Sequence, residues 1–349
     1  MPQRITAIIV SIAAAIALLV VGKPLLVPFA IALIIWYVID AIALQIRKIE
    51  IGGIQPFHHV SVFLSLVVVV LLFSGMVQMI GDTVEQVKAA APSYQHNVSK
   101  ILDRLASLTG VHVAPAIQHW ADDLDLGGII SSIAAAIMGL AGNAGLVAIY
   151  VAFLLLEERY FGIKLRIMFP DADRRRRVNQ MLDAIQVQIR QYVYIKTMVS
   201  ALTGIISYVI LLWVGVDYAP FWALLIFMLN YIPTIGSMIA VLLPTALALV
   251  QFDTFGPFVT LLVSLGTVQV LIGNVLEPRL MGSSLNLSPL VVILALSLWG
   301  QMWGVTGMFL SVPITVICMI VLANFPQTRG IAVAMSENGR LKDRSLLAR

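Results

Sequence analysis

Charge is what this sequence has least of. Only 11% of its 349 residues are Asp, Glu, Lys or Arg, against roughly 25% in a soluble domain. Cysteine is nearly absent as well. The single Cys318 excludes an intrachain disulfide and a cysteine zinc site. Also missing are a Walker A lysine loop, an H-E-x-x-H helix and a G-x-S-x-G elbow. Their absence removes an ATP motor within the chain and two common hydrolytic chemistries. No enzyme activity, cofactor or metal is expected. Of the five histidines, only His119 with Asp122 or Asp123 has a helical spacing suited to weak metal binding. A solvated surface is the plainer account of that cluster.

What the chain has instead is apolar surface: 60% of residues are hydrophobic and the mean hydropathy is +0.97. A soluble core has no use for so much, whereas a bilayer does. The expected fold class is all-α: a polytopic helical membrane protein with about eight transmembrane segments. Clear spans are expected at 5–22, 25–46, 60–80, 131–156, 197–214 and 256–276. The first of these reads as a retained helix rather than a signal peptide, because no small-residue cleavage site precedes the second. Two further apolar stretches, 219–251 and 289–323, are too long for one helix and are interrupted by Pro and Gly.

The segments group as N-terminal helices (1–80), an extracytoplasmic amphipathic segment (81–130) and a membrane helix (131–156). A cytoplasmic basic and amphipathic segment (157–196), a C-terminal transport core (197–325) and a tail (326–349) follow. Segment 81–130 reads as two small surface helices. The stripe Val178, Met181, Leu182, Ile185, Ile189 and Val193 reads as a helix lying at the membrane interface. In helix 131–156, Ala135, Gly139, Gly142 and Gly145 give a small-residue face suited to helix packing or self-association.

Basic residues fix the expected orientation. With both termini cytoplasmic, 18 of the 22 Lys and Arg fall inside, and only Lys23, Lys88, Lys100 and Arg104 fall outside. The run Arg174–Arg177 then reads as a topology signal at anionic head groups rather than a nucleic-acid patch. In this frame 219–251 must begin and end outside, and 289–323 must begin and end inside. Each is expected to be a hairpin of two short legs. Such broken segments point to a transport site near the midplane.

Three breaks carry the candidate site. In the first, Asn230, Pro233, Thr234, Gly236 and Ser237 lie together. Pro233 lacks an amide hydrogen and so frees the carbonyl of Leu229, which in hydrocarbon needs a partner. The same break also reads as a simple tight turn. The second runs from Gln269 through Asn274, Glu277, Pro278 and Arg279 to Gly282. There Pro278 is expected to release the carbonyl of Asn274. Glu277 is either a proton or cation carrier with Arg279 as its near partner, or a solvated interfacial residue. The third break carries Trp299, Gly304 and Gly307, with Trp303 beside them. Asp40 is the other candidate carboxylate, or else it snorkels beside Arg47 and Lys48.

These strings, with Gly215-Val216-Asp217-Tyr218-Ala219 and the Gly307-Met-x-x-Ser-Val-Pro313 ending, resemble the bacterial autoinducer-2 exporter family of permeases. The resemblance is specific over about 190–332. It implies an inner-membrane protein of seven or eight helices that exports a small signal molecule or other small solute. It also implies a homo-oligomer, such as a pentameric ring, and sodium/proton antiport in some relatives. Met319 and Ala323 depart from it, standing where a Lys and a Glu four residues apart are expected.

Three functions follow. The leading one is a secondary transporter exporting a small polar solute on an ion gradient, with the lipid bilayer and the solute or cation as its partners and no nucleic acid. The second is a Na+(Li+)/H+ antiporter. The third is a non-transporting oligomeric membrane scaffold.

Overall fold

The structure is a computed structural model that describes residues 2–48, 57–109, 142–282 and 285–341, with isolated positions 128, 132, 135 and 139. It is helical, as the composition requires. Helices α1 (Pro2–Val21), α2 (Lys23–Lys48), α3 (His58–Thr109), α4 (Ala144–Met168) and α5 (Ala172–Val214) come first. Then follow α6 (Ala219–Leu229), α7 (Ile235–Gln251), α8 (Phe255–Gln269), a π-helical segment (Val270–Leu276) and α9 (Glu277–Met281). Helices α10 (Pro289–Trp303), α11 (Val305–Asn324) and α12 (Arg329–Met335) complete the described chain. Among the described residues, five helical stretches are long and apolar enough to cross a membrane: Lys23–Lys48, His58–Val87, Ala172–Val214, Phe255–Met281 and Val305–Asn324. Helices α6, α7 and α10 are shorter apolar ones.

Several expected boundaries move. Helix α3 runs unbroken through position 80 to Thr109, so 81–109 continues a span rather than starting a surface helix. The remainder of segment 81–130, with the His119 cluster, lies outside the described residues apart from position 128. At 1.5 Å per residue the 52 residues of α3 far exceed a hydrocarbon core of ~30 Å. Likewise, the expected interfacial helix and the span 197–214 are one helix of 43 residues, α5. A turn at Gly142–Asn143 precedes α4, so Ala135, Gly139, Gly142 and Gly145 do not share one uninterrupted helix.

The arginine run at the start of α5 is held by local chemistry. Asp171 accepts from the Arg174 amide at 2.7 Å, putting a carboxylate at the helix's positive end. Arg175 reaches back to the carbonyls of Phe169 and Pro170 at 3.1 and 3.2 Å, just past the negative end of α4.

The chain divides into two units. One comprises Met1–Leu66, Gly142–Tyr194 and Met281–Arg349; the other comprises Val67–Ala141 and Ile195–Leu280. Each contains one broken hairpin. In the second unit α6 and α7 pack side by side around Phe221, Trp222, Leu225, Leu247 and Ala248, with Leu261 and Leu265 of α8. Gln251, ending α7, donates to the Gly215 carbonyl at 2.8 Å and accepts from the Asp217 amide at 2.9 Å. The end of the second leg is thereby tied to the start of the first. Gly204 of α5 lets the backbone of α6 approach: a Cβ there would lie 3.1 Å from the Ala223 carbonyl oxygen. Between lipid-solvated helices such close packing replaces the hydrophobic drive.

In the first unit α10 and α11 form the other hairpin, reversing at Gly304. Its ends are tied through the tail: Ser288 N–H donates to Met335 O at 3.0 Å, and Asn286 donates to Arg340 O at 2.7 Å. Met319, where a lysine was expected, is buried beside Tyr37, Val316 and Ile320. An apolar side chain suits that place.

Candidate transport site

The turn between α6 and α7 is closed locally. Tyr231 N–H donates to Met228 O at 3.2 Å and Ile232 N–H to Leu229 O at 2.9 Å. The Leu229 carbonyl that Pro233 was expected to leave bare therefore has a partner. It is also covered by Gly236, where a Cβ would fall 1.9 Å from that oxygen. Only glycine permits this approach. Thr234 takes φ 59°, ψ −61°, a region a β-branched residue avoids. Its side chain is exposed, and its carbonyl accepts from the Ser237 hydroxyl at 2.7 Å.

The polarity of this break lies in one side chain. Asn230 is only 4% exposed. Its amide nitrogen donates to Ser200 Oγ of α5 at 3.0 Å, and its carbonyl oxygen accepts from Gln269 Nε2 of α8 at 3.0 Å. Next to it, the Tyr231 and Thr197 hydroxyls share a hydrogen bond at 2.7 Å. Three helices thus converge on a carboxamide. Burying that group without partners is expensive. With them, two of its four hydrogen-bonding positions are used.

The second break takes an unexpected form. Instead of a kink at Pro278, residues 270–276 are π-helical, and the Glu277 amide donates to Ile272 O. Such a segment accommodates an extra residue in a turn and is frequent at functional sites. It leads into Glu277, whose carboxylate meets Lys196 Nζ at 2.5 Å. Their side chains are 17% and 6% exposed. The partner of Glu277 is therefore Lys196, 81 positions away, and not Arg279, which is exposed like Asn274 and Pro278.

The remaining candidates stand apart. Gly282 has φ 51° at the end of α9. Trp299, Gly304 and Gly307 belong to the other unit. There Trp299 and Trp303 pack with tilted rings 5.1 Å between centroids, and Trp303 Nε1 donates to Leu19 O at 3.0 Å. A Cβ on Gly307 would fall 1.8 Å from the Trp299 carbonyl oxygen. Asp40, in that same unit, pairs with Arg190 at 2.7 Å rather than with Arg47 or Lys48.

Sequence reasoning missed Lys196, Ser200, Thr203 and Ser207, all buried on α5. Their spacing of four, three and four places one polar stripe on an otherwise apolar helix. That periodicity was the available signal. A cavity of about 350 Å³, lined by Gln78, Asp82, Thr83, Gln86, Tyr218 and Phe221 among others, opens between α3 and the start of α6.

A chain with several helices long and apolar enough to cross a membrane is a multi-pass membrane protein. The AI-2E family transporter model matches residues 6–327, so the chain belongs to that family. It is 28% identical over 318 residues to the AI-2 transport protein TqsA of Escherichia coli, covering 90% of each chain. It is also 28% identical over 341 residues to a transport protein of Haemophilus influenzae, covering 93% of this chain and 94% of that one. A third relative, a transport protein of Borreliella burgdorferi, is 35% identical over 198 residues, 56% of this chain. The family is one of transporters and permeases, which supports a transport role.

Proposed function

We propose that this chain is a secondary transporter of a bacterial cytoplasmic membrane. It exports a small polar solute, an autoinducer-2-like signal molecule or related metabolite, on an ion gradient. Both termini face the cytoplasm. The observation that carries the reading is the buried Asn230 bridging Ser200 and Gln269. An 11-residue leg such as α6 rises about 16 Å, so its polar end reaches roughly half-way into a ~30 Å hydrocarbon core. A hydroxyl-bearing solute can exchange hydrogen bonds with this carboxamide network at little cost. The name of the Escherichia coli relative favours the signal molecule as cargo.

The test is efflux of solute from proteoliposomes with and without a proton gradient. Gradient-driven efflux that falls at least tenfold in Asn230→Ala, equivalent to about 1.4 kcal/mol, is expected. Gradient-independent flux, or full flux in that variant, would overturn the reading. The Lys196–Glu277 pair favours a second reading, Na+(Li+)/H+ antiport, because a carboxylate and an ammonium inside a span are usually functional. Sodium-induced pH changes in everted vesicles distinguish the two.

A further inference from the structure

The cavity between α3 and the start of α6 takes both its walls from one unit. Its polar wall is a stripe of α3. Gln78, Asp82 and Gln86 recur every fourth residue and so share one helix face. Ile80 and Val87, each 1% exposed, hold α3 against the core of the same unit. The stripe itself is exposed, and among the described residues no hydrogen bond or ion pair engages its three side chains. By contrast, the Thr83 and Ser74 hydroxyls turn back onto their own helix, to Met79 O at 2.8 Å and Leu71 O at 3.0 Å. Gly75 continues the stripe one turn earlier, and a Cβ there would meet nothing within 4 Å. The facing wall is Pro220 and buried Phe221 at the start of α6, with Tyr218 just before them. Tyr218 holds a left-handed backbone, φ 59°, and its hydroxyl donates to the Gln86 carbonyl at 3.3 Å. An apolar wall facing a few convergent polar groups is the usual make-up of a small-molecule site.

We propose that this cavity is an outer solute subsite of the export route, and that it takes a small uncharged polyol. The inference rests on the transport reading and names its class of cargo. The side chains select the ligand. Two carboxamides, each both donor and acceptor, flank a carboxylate that only accepts. A hydroxyl both donates and accepts, so adjacent hydroxyls can satisfy all three. An ammonium only donates and would leave both carboxamide NH2 groups unmatched. An anion would meet the Asp82 carboxylate, with no basic residue among the described lining.

Position agrees with this role. From Val60, where the expected span begins, α3 rises about 33 Å to Asp82, which brings the carboxylate to the aqueous edge of a ~30 Å core. With both termini cytoplasmic, that edge is the outer one, where an exported solute leaves. Helix α6 begins at this cavity and ends at Asn230, so one short helix joins the two polar sites. The cavity of about 350 Å³ falls within the roughly 300–1,000 Å³ of small-molecule pockets.

The test is ligand-observed saturation-transfer NMR on the purified full-length protein, titrated with D-ribose, methylammonium chloride or sodium phosphate. Ribose is expected to bind, and the two ions are not. Asp82→Ala should weaken ribose binding at least about tenfold, because a hydrogen bond to a charged group is lost. Gly75→Leu keeps every polar group but fills the cavity, and should abolish binding. Both positions are exposed, so the thermal transition should stay as in wild type. Glu85→Gln, exposed on α3 but outside the lining, should bind ribose as wild type does. In proteoliposomes Asp82→Ala and Gly75→Leu should each slow gradient-driven efflux.

Absence of ribose binding, ribose binding that survives both variants, or methylammonium binding in its place overturns the inference. Gradient-driven efflux untouched by both variants overturns it while leaving the transport reading intact. Asp82-dependent ribose binding in a protein without gradient-driven efflux does the reverse, keeping the polyol site and removing the transport reading.

Discussion

The two units solve one structural problem in the same way and then use the solution differently. Each builds a hairpin by reversing a short helix at a residue with positive φ, Thr234 at 59° and Gly304 at 66°. Each seats a glycine of the second leg over a carbonyl of the first, Gly236 on Leu229 and Gly307 on Trp299. Each carries a proline within the second leg, Pro244 and Pro313. The contents differ. The 219–251 hairpin buries a carboxamide in a side-chain network, and its unit holds a buried ion pair. The 289–324 hairpin buries a tryptophan pair, and its hydroxyls at Ser311 and Thr315 bond back to their own helix. Its unit carries the Asp40–Arg190 pair, with Arg190 45% exposed. The break itself is therefore a shaping device, and the side chains placed beside it decide whether it is also a polar site.

The largest effect is expected where charge is most buried. Removing only one of Lys196 and Glu277, as in Lys196→Met or Glu277→Gln, should cost about 3–5 kcal/mol by stranding the other charge. Removing both should restore most of that. A thermal-unfolding cycle of the four proteins measures it, and additivity of the single losses would show that the pair is solvated after all. Next come the glycines. Gly236→Ala and Gly307→Ala each drive a methyl into a carbonyl and should cost roughly 3 kcal/mol by overpacking. Near-equal losses are expected, since the two distances are 1.9 and 1.8 Å. A harmless substitution in one hairpin only would break the parallel between them.

Hydropathy and proline position made the helical fold and the two broken hairpins legible in the sequence. They did so because apolar length and proline position are local properties. Partners were not legible. Arg279 lies two positions from Glu277, but neighbours at that spacing point to different sides of a helix, and Lys196 arrives from 81 positions away. Lys196 also sits at the edge of a basic segment, where topology alone accounts for a positive charge. The expectation of a bare Leu229 carbonyl failed for another reason. Proline removes a donor at one position, but a tight turn can supply a different amide, as Ile232 does for Leu229. The π-helical segment left no mark in the pattern, since one extra residue within a turn barely changes local hydropathy.

Exchanging features between the hairpins sharpens the comparison further. Asn230→Ala leaves Ser200 and Gln269 without their partner and should cost about 2 kcal/mol along with most of the flux. Trp303→Phe removes the bond to Leu19 O and should cost about 1 kcal/mol with flux intact. Equal flux losses in the two would show that both hairpins line the solute route. Thr234→Gly gives the first turn the chemistry of the second. Relief of the strained backbone should raise stability by about 1 kcal/mol. A simultaneous loss of flux would show that the strain serves the transport cycle.

The smallest effect is expected at Asp40. It shares with Glu277 a carboxylate on an apolar helix and a basic partner at short range, 2.7 Å from Arg190. The difference is water. Arg190 is nearly half exposed, so solvent screens the pair, and such pairs contribute about 0.2–1 kcal/mol. Asp40→Asn should thus shift the thermal transition little and lose its effect as salt is raised. A loss in Asp40→Asn as large as that in Glu277→Gln, undiminished by salt, would mean that exposure to water does not separate the two acid–base pairs.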